Sequence, residues 1–215
     1  VDLTQCRFAG LQRADQIVLD GRCAFADGPR GRRRVLAEEH HWRATQASGR
    51  PPGTGGWRRL PEPAEVMGPA RLEVLYRQLR KALEDAKNEP GAADFYYGEM
   101  EMHRASTHGI ERILLRLYWL TSGYGLRAGR ALATLAVLIA VLAAGMKYAG
   151  FPGKPVPYLD ALLYSLRSTV AVDVKSAAVP EEVTRWGQVF RVILRIAGPL
   201  FVGLAALAIR NRVKR

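Results

Sequence analysis

The sequence predicts a mainly α-helical membrane protein, with two transmembrane helices around a shorter re-entrant helix and a cytoplasmic helical hairpin ahead of them. Three observations carry this. The stretch Ala131 to Phe151 holds one charge, Lys147, near its far end; its twenty-one residues cover about 30 Å at helical rise, and a lysine at that boundary can snorkel. A second apolar run, Ile196 to Ile209, follows, and a short helix-like segment, Tyr158 to Val174, lies between the two. Upstream, Leu72, Leu75, Leu79, Leu83 and Ala86 recur at the i, i+3, i+4 spacing of an amphipathic helix.

Residues 1–43 open with Leu3 and Phe8 five positions apart, each two residues after a small or apolar side chain, Val1 and Cys6. The stretch GRCAFADGPRGRRRVLAEEHHWR then reads as a turn followed by a short basic and amphipathic segment. Residues 44–69, dense in Pro and Gly without sustained periodicity, read as a linker. Residues 70–109 form the hairpin: its first helix stops before Pro90 and Gly91, and its second sets Ala93, Tyr96, Tyr97 and Met100 on one side. This pair is similar to one tetratricopeptide-like unit, and Leu72, Leu75, Leu79 and Leu83 are its candidate partner-binding residues.

Residues 110–130 carry Ile113, Leu114 and Leu117 opposite Arg112 and Arg116, the layout of a helix lying in a membrane interface. SGYG, at Ser122 to Gly125, reads as the hinge that follows. Residues 131–215 hold the two spans. The fourteen residues Ile196 to Ile209 are short for a span, and extending them back to Trp186 supplies the length. The extension takes in Arg191 and Arg195, each expensive in a membrane unless it faces a wet cavity, a partner or the interface. Their i, i+4 spacing puts both on one helical face with Gln188, as a water-facing stripe near the outer mouth would require.

The net charge of +12 is uneven, and residues 189–215 hold six Lys and Arg and no acid. Arg112, Arg116, Arg127 and Arg130 precede the first span, and Arg210, Arg212, Lys214 and Arg215 follow the second, while the connecting loop mixes both signs. The positive-inside rule therefore predicts both termini on the cytoplasmic side of a cell membrane, with membrane lipid as the main counter-charge and no nucleic-acid partner. Tyr118, Trp119, Tyr148 and Trp186 stand where interfacial aromatics belong. Cys6 and Cys23 read as reduced thiols, and the first 25 residues lack the apolar core of a signal peptide.

The five-residue period around Leu3 and Phe8 resembles the pentapeptide-repeat family, whose members wind a right-handed, four-sided β-solenoid with the central Leu or Phe inward. The resemblance implies a short solenoid remnant, the end of a repeat array. DALLYSLRSTV resembles the pore helix of the two-transmembrane ion-channel family, and WGQVFRVILRIAGPLFVGLAALAI resembles its inner helix. That likeness implies a homo-oligomer around a pore. Where a potassium channel carries the filter TVGYG, this chain has Thr169, Val170, Ala171, Val172 and Asp173. Ala171 and Asp173 lack the backbone freedom of glycine, so a potassium-selective carbonyl ladder is not expected. An acidic ring of Asp173 would attract cations, with Arg167, Arg191 and Arg195 opposing it.

Glu38, Glu39, His40 and His41 are the densest group of potential metal ligands, but neighbours on a helix diverge and no second cluster completes a shell. A solvated or partner-facing patch is expected there, and the run Arg30, Arg32, Arg33, Arg34 reads as a solvated turn. No nucleophile elbow, phosphate-binding glycine loop or metal-ligand spacing occurs, so neither an enzyme nor a cofactor is predicted. The expected function is an ion-channel-like membrane protein without a standard potassium filter. The alternative is a membrane-anchored scaffold that recruits a cytoplasmic protein and conducts nothing.

Overall fold

The computed structural model describes residues 1–11, 17–19, 23–29, 33–46, 56–61, 65–152, 156–170 and 183–213. These divide into two compact units, Val1–Leu117 and Tyr118–Val213.

The first unit is built on a helical hairpin, α2 (Pro69–Asp85) and α3 (Glu89–Ser106). Pro69 and Pro90 each fall in a first turn, where a missing N–H costs nothing. Between the helices Lys87 takes a left-handed φ of 56°, and the Asn88 side chain caps α3 by accepting from the Gly91 N–H at 3.1 Å. The helices meet closely because Gly98 has no side chain: a Cβ there would lie 2.5 Å from the Tyr76 ring.

Ahead of the hairpin come a two-residue antiparallel pair, β1 (Ala26–Asp27) with β2 (Arg34–Val35), and α1 (Ala37–Gln46). An isolated parallel bridge joins Asp2 to Ala24. The described residues thus contain two short strands and do not show a β-solenoid. Phe8, Leu19, Phe25 and Leu36 nevertheless enter one core with Leu72, Leu75, Tyr76, Leu79, Leu83, Phe95 and Met102, so residues from 1–43 and from the hairpin share a single apolar interior. Its centre is a file of rings, Phe8, Phe25, Phe95 and Tyr76, with successive centroids 6.3, 4.8 and 5.4 Å apart.

Helix α4 (Gly109–Ser122) contains the boundary between the units. Its apolar stripe, Ile110, Ile113, Leu114, Leu117 and Leu120, is exposed throughout. The SGYG segment that follows is a turn with Gly123, Tyr124 and Gly125 all at positive φ, Tyr124 being buried edge-on against Tyr118.

The second unit contains α5 (Ala128–Gly145), which runs into a π-helical turn (Met146–Gly150), then α6 (Tyr158–Thr169) and α7 (Arg185–Val213). Ala128–Gly150 and Arg185–Arg210 are long and apolar enough to cross a membrane, and only 28% of each apolar window is buried. A core helix of a soluble protein would be mostly covered; these two present Leu132, Val137 and Val141, and Val192, Ile196, Leu200 and Leu207, outward. The second helix has the longer of the two lengths considered from sequence, and it includes both arginines.

Candidate functional site

Each helix of the second unit buries one narrow stripe. On α5 it is Ala131, Leu135, Ile139 and Ala143, four residues apart, with an alanine at each end. On α7 it includes Leu194, Ala197, Ala205 and Ala208, and on α6 Ala161, Ser165, Ser168 and Thr169. Leu135, Ile139 and Leu194 form the central cluster, with Leu142, Leu162 and Phe201 packed on it.

The two long helices run antiparallel, which their end contacts make plain. A Cβ on Gly187 would collide with the Gly150 carbonyl, and one on Gly145 would lie 3.0 Å from the Phe190 ring. Thr184 fastens this end: its N–H donates to the Gly150 carbonyl at 3.0 Å, its hydroxyl donates to the Ala149 carbonyl, and its oxygen accepts from the Gly187 N–H at 3.1 Å. The carbonyls at the end of the π turn thereby find donors that an isolated helix would lack.

Helix α6 has 12 residues, about 18 Å of rise, too little to cross a bilayer. It starts after Pro157, and the Tyr158 hydroxyl ties it to the Ala140 carbonyl of α5 at 3.1 Å. It ends against α7 at Gly198, where an added Cβ would strike the Thr169 carbonyl and lie 2.6 Å from its methyl group. Thr169 is buried, and its hydroxyl donates to the Ser165 carbonyl at 2.8 Å. Residue 199 of α7 is a proline, with no N–H to give the Arg195 carbonyl, so the helical ladder is broken beside the end of α6.

Among the filter-like residues, Thr169 closes α6 and Val170 is exposed just beyond it; Ala171, Val172 and Asp173 lie outside the described residues. Arg191 is half-buried and Arg195 exposed, on the flank of α7 that also carries the exposed Gln188. Depth separates the two arginines. Arg185–Arg210 spans 26 residues, about 39 Å, so with its midpoint at the bilayer centre Arg191 lies about 10 Å from the centre and Arg195 about 4 Å. The hydrocarbon boundary is about 15 Å from the centre and an arginine side chain reaches about 6 Å, leaning toward the helix N-terminus. In a bilayer so centred Arg191 would reach the interface and Arg195 would fall several ångströms short. A charge at the helix centre costs about 2.5–3.5 kcal/mol by insertion scales. Leu194 shares a cluster with Ile139, the middle residue of Ala128–Gly150.

In comparisons with known proteins, no family model, no curated protein and no solved structure matches the chain.

The remaining sequence candidates lie in the first unit. Leu72, Leu75, Leu79 and Leu83, expected to offer a partner a surface, are at most 5% exposed, because their face is covered by α3 and by residues 1–43. The expected solvated patch Glu38–His41 is a correction: all four residues are buried at the start of α1. They diverge as helix neighbours must. Glu38 accepts from the Phe8 N–H, the His40 ring meets the Asp27 carbonyl at 3.1 Å, and the Leu60 N–H donates to His41 Nδ1 at 3.1 Å.

Glu39 is the hub of that group, accepting from Arg33, from Arg43 at 2.6 Å and from the Tyr76 hydroxyl at 2.5 Å. Burial works to raise its pKa, but Arg33 and Arg43 outweigh burial and hold the carboxyl below its ordinary range. Burial likewise opposes the charge on Arg33, and Glu39 reverses it, leaving the pKa raised. Arg33, expected in a solvated turn, is therefore a largely covered ion-pair partner. Its pairing holds β2 and α1 together around the hairpin. Sequence reasoning passed over Gly198, Thr184 and the Glu39 hub. A Gly-Pro pair inside an apolar run was the available signal for the first, a threonine just before the helix start for the second, and the i, i+4 pair Glu39–Arg43 for part of the third.

Proposed function

We propose that this chain is an integral membrane protein with an ion-channel-like pore unit that passes ions without a standard potassium filter. The observation that carries the reading is α6: a helix too short to span, lodged between two antiparallel spans and ending on Gly198 beside a proline break in α7. A helix that enters the membrane and stops leaves its terminal carbonyls at membrane depth. Non-helical backbone there is tolerated only inside protein or beside water, which is the circumstance of a pore.

The exposed apolar stripe of α4 supports an interfacial helix leading into the first span, and Arg127 and Arg130 at the start of α5 with Arg210 near the end of α7 support cytoplasmic termini. The resemblance to pentapeptide repeats finds support in the bridge between Asp2 and Ala24, since a four-sided coil of five-residue sides returns on itself after about 20 residues. Phe8 is buried and Leu3 packs on the same core, as inward repeat positions would. The scaffold alternative has less support, because the hairpin leucines assigned to a partner are covered within their own unit.

The test is single-channel recording of the purified chain in planar bilayers under potassium, sodium and chloride gradients. Discrete steps that require the protein and show a defined reversal potential are expected. An inserted protein that stays silent would overturn the reading and favour the anchored scaffold.

A further inference from the structure

His103, in the last turn of α3, stands between carboxylates from two other helices of the first unit. Its Nδ1 is 3.1 Å from Glu73 Oε2 on α2, and its Nε2 is 3.2 Å from Glu111 Oε1 in the first turn of α4. The backbone of His103 is fixed, because its carbonyl accepts from the Thr107 N–H at 3.0 Å, the Thr107 hydroxyl at 2.7 Å and the Ser106 hydroxyl at 2.9 Å. The chain then turns at Gly109, whose φ of 68° is left-handed and whose surroundings are open. Helix α4 starts at that glycine, and Glu111 follows two residues later.

A charged imidazole carries an N–H on both nitrogens and can donate to both carboxylates, whereas a neutral one has a single N–H. The two acids differ in what else holds them. Glu73 is 15% exposed, and its Oε1 accepts from Arg77 of α2 at 2.8 Å. Arg77 also bonds Glu99, one turn before His103 on α3, at 2.8 Å, and Arg80 lies 3.1 Å from the other oxygen of Glu99. Glu111 is 62% exposed, next to Arg112 on α4, and its side chain can turn into water. A neutral ring therefore keeps its one N–H on Glu73 and turns a lone pair toward Glu111, which repels the carboxylate.

We propose that protonation of His103 latches the first turn of α4 to the α2–α3 hairpin, and that loss of the proton frees the helix to turn about Gly109. The first unit ends within α4, so the latch acts on the helix that continues the chain into the second unit. Its contribution is complete while the ring is charged and is lost as pH rises through the ring's own titration. An exposed pair of this kind shifts a local equilibrium by up to about fivefold. His40 has the opposite sign, because burial favours its neutral form.

The experiment measures the distance between spin labels on Lys81→Cys of α2 and Arg116→Cys of α4, both exposed, in the full chain with Cys6→Ser and Cys23→Ser. Samples run from about pH 5 to about pH 8, the range in which an imidazole changes charge. The titration of the His103 ring is followed in parallel by its Cε1 proton resonance, assigned by its disappearance in His103→Gln. A narrow distance distribution at the acid end should broaden as pH rises, with its midpoint at the ring's titration and the ratio of close to open populations falling by up to about fivefold. His103→Gln cannot change charge, and the amide of Glu111→Gln can donate or accept, so both variants should be insensitive to pH. A distribution that stays the same across the titration of the ring overturns the latch, and so does a pH response that survives in both variants. The readout needs no current, so failure of the latch and failure of the pore reading are separate results.

Discussion

Thr169 and Gly198 touch backbone to backbone: the carbonyl at the end of α6 rests on the Cα of α7 one residue before Pro199. No side chain fits between them, so the position where α6 stops is set by a glycine on another helix.

Replacing Gly198 by Ala should therefore push α6 off α7. Overpacking of this kind costs about 1–3 kcal/mol, and here it also displaces the end of the re-entrant helix. Thermal unfolding in detergent should show the loss, and bilayer recordings should lose unitary current. Gly203→Ala, with nothing within 4 Å of the new methyl, should leave both unchanged.

Glu39→Gln should destabilise the first unit strongly. The substitution leaves the half-buried Arg33 and Arg43 against a neutral, fully buried amide, and breaking one side of a buried ion pair costs about 3–5 kcal/mol. Tyr76→Phe removes a donor to Glu39 and an acceptor for the Leu36 N–H, for a smaller loss of about 1–3 kcal/mol. Urea titration of the full chain in detergent, with proteolysis inside residues 1–117 as the readout, should rank the two in that order.

The first unit should lose stability on acidification. Burial holds His40 below its ordinary 6.5, so its contribution is present above that value and is lost as pH falls through the folded pKa. Glu39 follows at lower pH: its carboxyl lies below the ordinary 4.5, its contribution is complete above 4.5, and that contribution drains away as pH falls through the lowered value. Glu38, raised by burial, works in the opposite sense and blunts the transition. Unfolding midpoints between pH 8 and pH 3 should fall in two stages, and His40→Gln should remove the first.

Helix α4 should lie in the interface with Leu117 buried in lipid and Arg116 in water. A spin label at residue 117 should be relaxed by oxygen, and one at 116 by a water-soluble nickel complex. Equal exposure of both to the nickel complex would remove the interfacial assignment.

Much of this architecture is written locally. The run around Leu135 and Ile139 has no acid or base in it, and that composition makes it long and apolar enough to cross a membrane whatever packs beside it. The leucines of α2 repeat at helical spacing, and the spacing holds whichever neighbour covers them. What covers them is another matter. Periodicity marks Leu72, Leu75, Leu79 and Leu83 as an apolar face and is silent on whether α3 or a foreign protein meets it. The Glu38–His41 run is polar by composition and buried in fact, because the Tyr76 hydroxyl and the Phe8 backbone arrive from distant positions, and Arg33 from a nearer one, to bond Glu38 and Glu39.

The sequence by itself determined the hairpin helices, the two long apolar helices and the shorter one between them, because each depends on side-chain pattern within a few turns. Only the tertiary structure decided that the hairpin leucines are interior, that Glu39 is a hub and that α6 ends on Gly198. Those properties depend on which distant residues meet, and contact over long chain separations is a matter of packing geometry that no local period encodes.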